Sequence, residues 1–456
     1  MSIGSFTIVA DFKRDIDDKD ENILIIAIIY IQIFIIISGI ADFTESFIKK
    51  CEPIEKMLDV LTIAEVIRLI ATRFGDCRMS KEQVSLDEAL NRVLAEEIQA
   101  ADYVPVFNRS TVDGYAVRAS DVFGCSEAIP ALLKMTGVSS MGEHIALQLE
   151  KGCCTYVPTG GEVPEGADAV VMIEHADDFG DGTIGVYKAC APGTNLIFKG
   201  DDVKPGKVVY PIGKMLHVAD IGTLAALGVT KIMVRKKPKV ALISTGDELV
   251  QASEPVMSGK IRDVNGPMLY AAILESRAQP DFLGILQDNM QEIMKAMSEA
   301  VKESDMLILT GGTSVGLKDT IPEALSTLGE MLVHGIASKP GKPTIFGVIE
   351  DKPVFGLSGN PLAAFFMFLL LVKPLLHSMQ GIELVTRSLV VPISRAVPSN
   401  HGREDLIPVA LKENQAIPII GKSGLITTLS GADGYIRIAR DLEGINQGEN
   451  VEVFLF

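Results

Sequence analysis

The chain has 456 residues, of which 47% are hydrophobic, and its 42 lysines and arginines against 59 aspartates and glutamates give a formal net charge of −17. This length exceeds one ordinary core, and a prior of roughly 150 residues per domain predicts about three domains. The acidic balance argues against a nucleic-acid groove, so an anionic substrate would have to be held by local lysines or by Mg²⁺.

Cysteine and histidine spacing argues against a zinc site. The six cysteines include no C-x-x-C pair, and the six histidines include no H-E-x-x-H motif. We interpret the cysteines as free thiols in a reducing compartment, which places the protein in the cytoplasm.

An apolar run over residues 23–41 is just long enough to span a bilayer. The residues before it are acidic, and no signal-peptide cleavage site follows it. Lysines near both ends set no clear orientation. Two interpretations stay open: a membrane contact through this run, or a non-native upstream extension of a protein that begins near Met57. We expect a chain without residues 1–56 to remain soluble, dimeric and active.

Two helices with capping signals follow this extension. Thr62, with Glu65 three residues on, predicts the start of a helix over residues 61–74, where apolar residues recur at helical spacing. The same Ser-x-x-Glu signature predicts a second helix over residues 86–94.

Short β segments come next. Asp113 stands where a loop turns into a short strand, and local sequence favours a turn residue over a functional one. The region over residues 119–199 is rich in glycine and short alternating runs, which predicts a small β domain, and residues 157–172 are typical of a strand, a tight turn and a return strand. Asp202 belongs to a pair of turn acids that is either solvated or functional.

Strands and helices alternate from residue 240 onward, which predicts a parallel, doubly wound sheet. Three apolar strands, near residues 240, 307 and 354, are each followed by a loop of small residues. Ligands of open α/β sheets bind beyond the carboxyl ends of the strands, so the three loops should line one site. After the second strand, Gly311 and Gly312 let backbone N–H groups approach an anion, and a helix should begin nearby. This pattern predicts a phosphate site.

Two lysines follow in the segment Ser-Lys-Pro-Gly-Lys-Pro. Prolines and a glycine stiffen the backbone around Lys339 and Lys342, which favours pre-positioned cations over solvated surface charges. The apolar stretch over residues 361–377 is predicted to be a core helix, interrupted at Lys373-Pro374 well before bilayer length. Short β runs after residue 383 predict a small barrel or sandwich.

Six motifs in this order carry a family resemblance. They are DGYAVR (113–118), PTGGEVPEGADAVVM (158–172), TGDEL (245–249), TGGTSVGLKD (310–319), SKPGKP (338–343) and GLSGNP (356–361). From about Met57 to the C-terminus the chain resembles the molybdopterin molybdenumtransferase family, the MoeA proteins, whose relatives include the gephyrin E domain.

The resemblance implies a multi-domain α/β plus β fold in an elongated homodimer whose active sites lie near the subunit interface. The expected parts are an N-terminal extension (1–56), an elongated helical and mixed N-terminal linking domain (57–108 and 200–237), an inserted small β domain (109–199), a doubly wound molybdopterin-binding α/β domain (238–383) and a C-terminal β barrel (384–456).

The resemblance also implies an activity. Adenylylated molybdopterin would be hydrolysed in a Mg²⁺-dependent reaction, AMP would leave and molybdate would be placed on the dithiolene. The implied catalytic residues are Asp113, Glu248, Asp263 and Asp319, of which the last three would bind the metal. The implied substrate-binding residues are Thr159, Asp202, Gly311, Gly312, Ser314, Lys339, Lys342, Ser358, Gly359, Asn360 and Arg403, with both lysines and Arg403 serving molybdate.

The chain departs from the family pattern at a few positions. Ser358 replaces the usual proline of GLPGNP, and Ala363 stands where many members carry serine. Two other functions compete with the transferase: a scaffold that binds molybdopterin or a partner protein without turnover, and an adenylyltransferase. The intact acids favour the transferase over the scaffold, and the additional β domains argue against the adenylyltransferase.

Overall fold

The computed structural model describes residues 60–312, 320–383, 385–421 and 427–456. The apolar run over residues 23–41 lies outside these residues, and so do Ser314 and Asp319. A membrane contact through residues 23–41 therefore stays one of two open interpretations.

The first helix, α1 (Ile63–Phe74), begins as predicted. Thr62 Oγ1 accepts a hydrogen bond of 3.2 Å from the Glu65 backbone N–H, and Glu65 Oε2 accepts one of 2.8 Å from the Thr62 N–H. These reciprocal bonds satisfy two N–H groups that the helix itself leaves without partners. The helix buries Ile63, Val66 and Ile70.

The predicted second helix is wrong beyond its first turn. Only Leu86–Glu88 is helical, as one 3₁₀ turn. Asn91 has φ +63°, and the backbone N–H groups of Asn91 and Leu94 donate to Leu216 and Lys214 of a distant segment. Tertiary pairing of residues 91–95 thus overrides the local helix signal.

Residues 60–237 contain one further helix, α2 (Val218–Ala226), and twelve strands. The strands are β1 (Lys81–Ser85), β2 (Ile98–Gln99), β3 (Arg109–Ser110), β4 (Gly114–Val117), β5 (Ala131–Val138), β6 (Cys153–Val157), β7 (Ala169–Met172), β8 (Ala176–Asp178), β9 (Thr183–Val186), β10 (Leu196–Ile197), β11 (Val208–Tyr210) and β12 (Lys231–Arg235). Six of them form a sheet in the order β7-β4-β6-β5-β9-β8, which is the predicted small β domain. The pairs β1–β12 and β2–β11 join chain segments on either side of that domain.

The α/β domain follows. Its helices are α3 (Asn265–Glu275), α4 (Met290–Glu303), α5 (Thr320–Leu328), α6 (Pro361–Met367) and α7 (Lys373–Gln380). Its strands are β13 (Lys239–Thr245), β14 (Leu249–Val250), β15 (Ile261–Arg262), β16 (Gln279–Leu286), β17 (Met306–Thr310), β18 (Glu330–His334), β19 (Ser338–Lys339), β20 (Ile345–Ile349) and β21 (Lys352–Leu357).

The main sheet of this domain has the order β16-β13-β17-β21-β20-β18. Strands β13, β17 and β21, which precede the three predicted loops, are adjacent and parallel, as expected. Strand β20 was not predicted, and it runs antiparallel to both of its neighbours. It reaches β21 through a tight turn at Glu350 and Asp351, both at positive φ. A turn without glycine, asparagine or proline carries little sequence signal.

Both faces of the main sheet are covered, which confirms the doubly wound arrangement. Leu242, Ile308 and Phe355 point to a core that also contains buried residues of α1, α3, α6 and α7. The residue before each of these points to the opposite face, where α4 and α5 supply the other core. Alternation along buried strands produces this separation.

Helices α6 and α7 form one continuous helix over Pro361–Gln380, joined by a π-helical turn at Phe368–Val372. The predicted interruption is therefore wrong. The Lys373 N–H bonds to Phe368 O five residues back, and Pro374 stands in the first turn of α7. This helix is the one in the described residues that is long and apolar enough to cross a membrane, and 67% of its apolar window is buried inside the protein. It is a core helix, as predicted.

The C-terminal part contains α8 (Thr427–Ser430) and seven strands. They are β22 (Ser388–Pro392), β23 (Val397–Pro398), β24 (Glu404–Lys412), β25 (Gln415–Pro418), β26 (Gly434–Ile438), β27 (Gly444–Ile445) and β28 (Asn450–Leu455). The largest sheet follows the path β19-β24-β26-β28-β22, with β25 beside β24. Ala416 of β25 forms a parallel bridge with Ile393, directly after β22, and the Ser394 N–H donates to Ala416 O at 2.9 Å, so the sheet curls back on itself as the predicted barrel requires. Strand β19 belongs to the α/β domain in sequence, so this sheet connects the two domains.

Candidate active site

Three loops meet at the carboxyl ends of β13, β17 and β21. A Cβ atom built on Gly311 would lie 2.0 Å from the backbone oxygen of Thr245, and one built on Gly359 would lie 3.6 Å from Gly311 Cα. Gly311 N–H also donates to Leu357 O at 3.1 Å. The loops therefore contact one another directly, as predicted from three parallel strands that are each followed by a loop of small residues.

Glycine is required at the start of the second loop. Gly311 has φ +101° and Gly312 has φ +55°, which are conformations that other residues rarely adopt. A Cβ on Gly312 would lie 3.1 Å from Thr245 Oγ1 and 3.3 Å from Thr320 Oγ1. Any side chain would fill the space beside these hydroxyls, so the two glycines keep the backbone open to a ligand.

Asn265, at the start of α3, holds the second and third loops together. Its Nδ2 donates to Thr310 Oγ1 at 2.7 Å, to Ser358 O at 3.1 Å and to Gly359 O at 3.0 Å. The side chain is buried, with a residue exposure of 5%. Sequence reasoning missed this residue. The available signal was an asparagine two positions after Asp263 and directly before Gly-Pro.

A cavity of about 730 Å³ opens beside these loops. Its lining residues are Thr245, Glu248, Leu249, Val256, Lys260, Ile261, Arg262, Asp263, Val264, Asn265, Thr310, Gly311, Gly359, Asn360 and Pro361. The predicted residues Glu248, Asp263, Gly311, Gly359 and Asn360 are thus brought together. Lys260 and Arg262 also line this cavity and were not predicted. Lys260 Nζ donates to Asp247 O, and Arg262 Nε donates to Ala252 O at 3.1 Å.

Asp263 is fixed by two hydrogen bonds. Ser244 Oγ donates to its Oδ2 at 2.7 Å, and the Gly266 N–H donates to its Oδ1 at 2.9 Å. With 6% exposure, its carboxylate is oriented by the end of β13 and the start of α3. Glu248 is more exposed and lies next to the Gly246 backbone.

A Mg²⁺ ion fits the chemistry of these donors. Glu248 and Asp263 both line the cavity, and hard oxygen ligands suit Mg²⁺, which usually keeps several waters. Within the described ranges no group of three or more metal-binding side chains forms. The third predicted ligand, Asp319, lies outside those ranges.

Asn360 and Ser358 shape the third loop. Asn360 Oδ1 accepts from the Ala363 N–H at 3.3 Å and caps α6, while Ser358 Oγ accepts from the Asn360 N–H at 3.2 Å. Ala363 takes part through its backbone, so the absence of a serine hydroxyl there leaves the cap intact.

The predicted molybdate cations lie on neighbouring backbone segments. Lys339 pairs with Asp405 in the β19–β24 register, and its Nζ is 3.4 Å from Asp405 Oδ2. Arg403, two positions before Asp405, is exposed, and so is Lys342. Asp405 was not predicted, since only tertiary pairing places it beside Lys339.

Asp113 and Thr159 are brought together in the small β domain. The Thr159 N–H donates to Asp113 Oδ1 at 2.9 Å. Asp202 is exposed in a turn, and its backbone N–H donates to Val104 O at 3.1 Å. Across the described part of the chain, no hydrogen bond or ion pair joins these three residues to Glu248 or Asp263.

Three buried polar atoms near the loops lack hydrogen-bond partners in the described structure: Thr245 Oγ1, Asn265 Oδ1 and Thr320 Oγ1. Buried polar groups are usually satisfied, so their concentration here marks a place where a ligand or water completes the hydrogen bonding. The described cysteines, by contrast, are free thiols. Burial raises the pKa of Cys154 to about 12 and that of Cys190 to about 11.

The fold and this site define a multidomain protein with a candidate ligand-binding cavity at the carboxyl edge of an α/β sheet. Three family models match the chain: "MoeA N-terminal region (domain I and II)" over residues 61–228, "Probable molybdopterin binding domain" over 241–378 and "MoeA C-terminal region (domain IV)" over 390–456.

Individual relatives agree with these family models. A molybdopterin molybdenumtransferase from Bacillus subtilis is 34% identical over 393 residues, which cover 82% of this chain and 89% of the relative. One from Haemophilus influenzae is 37% identical over 300 residues, which cover 66% of this chain and 73% of the relative. A solved molybdopterin biosynthesis MoeA protein from Pyrococcus horikoshii has a TM-score of 0.78 and 37% identity, covering 87% of this chain and 99% of that one. The chain belongs to the molybdopterin molybdenumtransferase (MoeA) family of enzymes, which act in molybdenum cofactor biosynthesis.

Proposed function

We propose that this enzyme places molybdate on molybdopterin, using adenylylated molybdopterin as substrate and releasing AMP in a Mg²⁺-dependent reaction. The observation that carries the proposal is one cavity that is lined both by an open glycine backbone and by two carboxylate residues. A binder would gain little from carboxylates opposite a pyrophosphate, whereas a metal-assisted hydrolysis requires them.

In this proposal the chain's own residues have separate tasks. Gly311, Gly312 and Gly359 let backbone donors approach the phosphates. Glu248 and Asp263 would hold Mg²⁺, which when bound neutralises phosphate charge and polarises the bond to be cleaved. Molybdate would bind to a second group of residues, Lys339, Lys342 and Arg403.

A homodimer accounts for the remaining predicted residues. Asp113 and Thr159 form a pair in the β domain, and no described contact connects that pair to the cavity of the same chain. An active site near a subunit interface would bring the two groups together across two copies of the chain. We also place the enzyme in the cytoplasm, since the described cysteines are free thiols, which suit a reducing compartment.

The test is to incubate the purified full chain with adenylylated molybdopterin, Mg²⁺ and molybdate and to measure AMP and molybdenum cofactor. AMP release that requires both Mg²⁺ and molybdate supports the transferase. Tight binding of the pterin nucleotide without AMP release would instead support a scaffold. Formation of adenylylated molybdopterin from ATP would support an adenylyltransferase.

A further inference from the structure

The strand that carries Lys339 lies beside the strand that carries Asp405. Ser338 pairs with Glu404 and Lys339 with Asp405 in parallel register, and the Glu404 N–H donates to Ala337 O at 2.9 Å. This backbone pairing places Lys339 Nζ 3.4 Å from Asp405 Oδ2. The backbone pairing therefore brings the two side chains next to each other.

The two partners differ strongly in exposure. The Lys339 side chain is 54% exposed, whereas the Asp405 side chain is 3% exposed. Ser399 Oγ donates to the same Asp405 oxygen at 3.1 Å. A carboxylate is thus held underneath an ammonium group that faces solvent, and little water lies around it to screen its charge.

We propose that Asp405 is an affinity-setting residue that weakens the attraction of this site for oxyanions in general. The proposal rests on the proposed function, in which Lys339 binds molybdate. A dianion bound at Lys339 would lie only a few ångströms from Asp405 and would be repelled by it. The carboxylate therefore reduces the electrostatic part of the site's affinity, both for molybdate and for abundant dianions such as sulfate. Selection of molybdate must then rely on directional hydrogen bonds, which discriminate between oxyanions better than Coulomb attraction does.

The experiment compares Asp405→Asn with Glu404→Gln in the full chain. Both changes neutralise a carboxylate of β24 that forms an ion pair. Glu404 pairs with Arg437 at 2.5 Å, whereas Asp405 pairs with Lys339. Calorimetry at low ionic strength would measure molybdate binding directly. Sulfate affinity would be measured by competition with molybdate. We expect Asp405→Asn to bind both dianions about five- to tenfold more tightly, since the charges lie within several ångströms of each other. The gain should shrink in high salt. Glu404→Gln should match the unmodified protein.

Weaker molybdate binding by Asp405→Asn would overturn the proposal, because it would mean that Asp405 orients Lys339. Unchanged binding would overturn it as well. If Asp405→Asn does not fold, Asp405→Ser removes the same charge and keeps a hydroxyl for Ser399. The gain should also disappear in a Lys339→Gln background. These measurements need no turnover, so a protein that releases no AMP would contradict the proposed transferase without deciding the role of Asp405.

Discussion

The side-chain amide of Asn265 donates a 2.7 Å hydrogen bond to Oγ1 of Thr310, and through two further bonds it reaches the third loop of the site. One side chain thereby sets the distance between the glycine loop after β17 and the loop that caps α6. Because catalytic groups tolerate little misplacement, this contact should matter for substrate binding as well as for stability.

We expect Asn265→Ala to raise the concentration of adenylylated molybdopterin needed for half-maximal AMP release about tenfold or more. Gln380→Ala is a matched control, since its buried amide also donates to two carbonyls, at 3.0 Å each, but near the opposite end of α3. Both variants should lose about 1–3 kcal/mol of stability, because each removes several buried hydrogen bonds. Equal substrate dependence in the two variants would show that Asn265 is only structural.

Gly311→Ala should destabilise the loop and abolish AMP release. Its φ of +101° and the 2.0 Å approach of a Cβ to Thr245 O predict a cost of at least about 1–3 kcal/mol. Gly222→Ala is the control, because that glycine lies inside α2 with open space around it. It should gain up to about 1 kcal/mol from helix propensity. Denaturant unfolding of both variants measures the difference, and a stable, active Gly311→Ala would contradict the assigned geometry.

The two lysines should behave differently when replaced. Lys339→Ala leaves the buried Asp405 carboxylate without its cation, so we expect a loss of about 1–2 kcal/mol in unfolding free energy. Lys342 forms no ion pair within the described residues, and Lys342→Ala should leave stability unchanged. Lys342→Ala should nevertheless raise the half-saturating molybdate concentration about tenfold, which corresponds to roughly 1.4 kcal/mol. If pterin-nucleotide affinity collapses instead, the lysines are phosphate ligands, and Arg403 becomes the next molybdate candidate.

Glu248→Gln and Asp319→Asn should each abolish AMP release while the fold persists. An amide keeps the shape of the carboxylate but removes the charge that a Mg²⁺ ion needs. Glu254→Gln, which changes an exposed acid outside the cavity lining, is the control. AMP release is measured across a Mg²⁺ titration. Unchanged turnover in either variant would remove that residue from the metal site.

Stability should fall between about pH 6.5 and pH 4 through His377. Burial lowers the pKa of His377 to about 4, with smaller contributions from Lys373 and Arg277. The unfolded chain binds a proton near pH 6.5, whereas the folded protein does so only near pH 4, so acid favours unfolding in this window. Allowing for partial exposure, the loss is about 1–2 kcal/mol.

Thermal unfolding of the unmodified protein and of His377→Gln from pH 7.5 to pH 4 measures this effect. The stability difference between them should change with pH. His401→Gln, which alters an exposed histidine 3.2 Å from Glu443, should follow the unmodified protein. Parallel curves for all three proteins would contradict the role of His377.

Local sequence determined much of the architecture. The Thr62–Glu65 capping box started α1 where predicted, because such a cap depends on residues only three apart in the chain. Apolar strands followed by small residues located β13, β17 and β21, and parallel topology then required their loops to share an edge. Motif order also identified the family. Residues 313–319 belong to one of these motifs and lie outside the described structure, so their assigned roles stay predictions.

Only the tertiary structure decided which partners those residues meet. The helix predicted over residues 86–94 gave way to pairing with residues 214–216, since long-range hydrogen bonds outweigh a weak local preference. Strand β20 depended on a turn without a sequence signal. Asn265 and Asp405 were missed because their functions lie in contacts with residues 45 to 94 positions away. Spacing along the chain reports a helix face or a strand edge, whereas a buried amide between two loops or a carboxylate under a lysine exists only once the chain has folded.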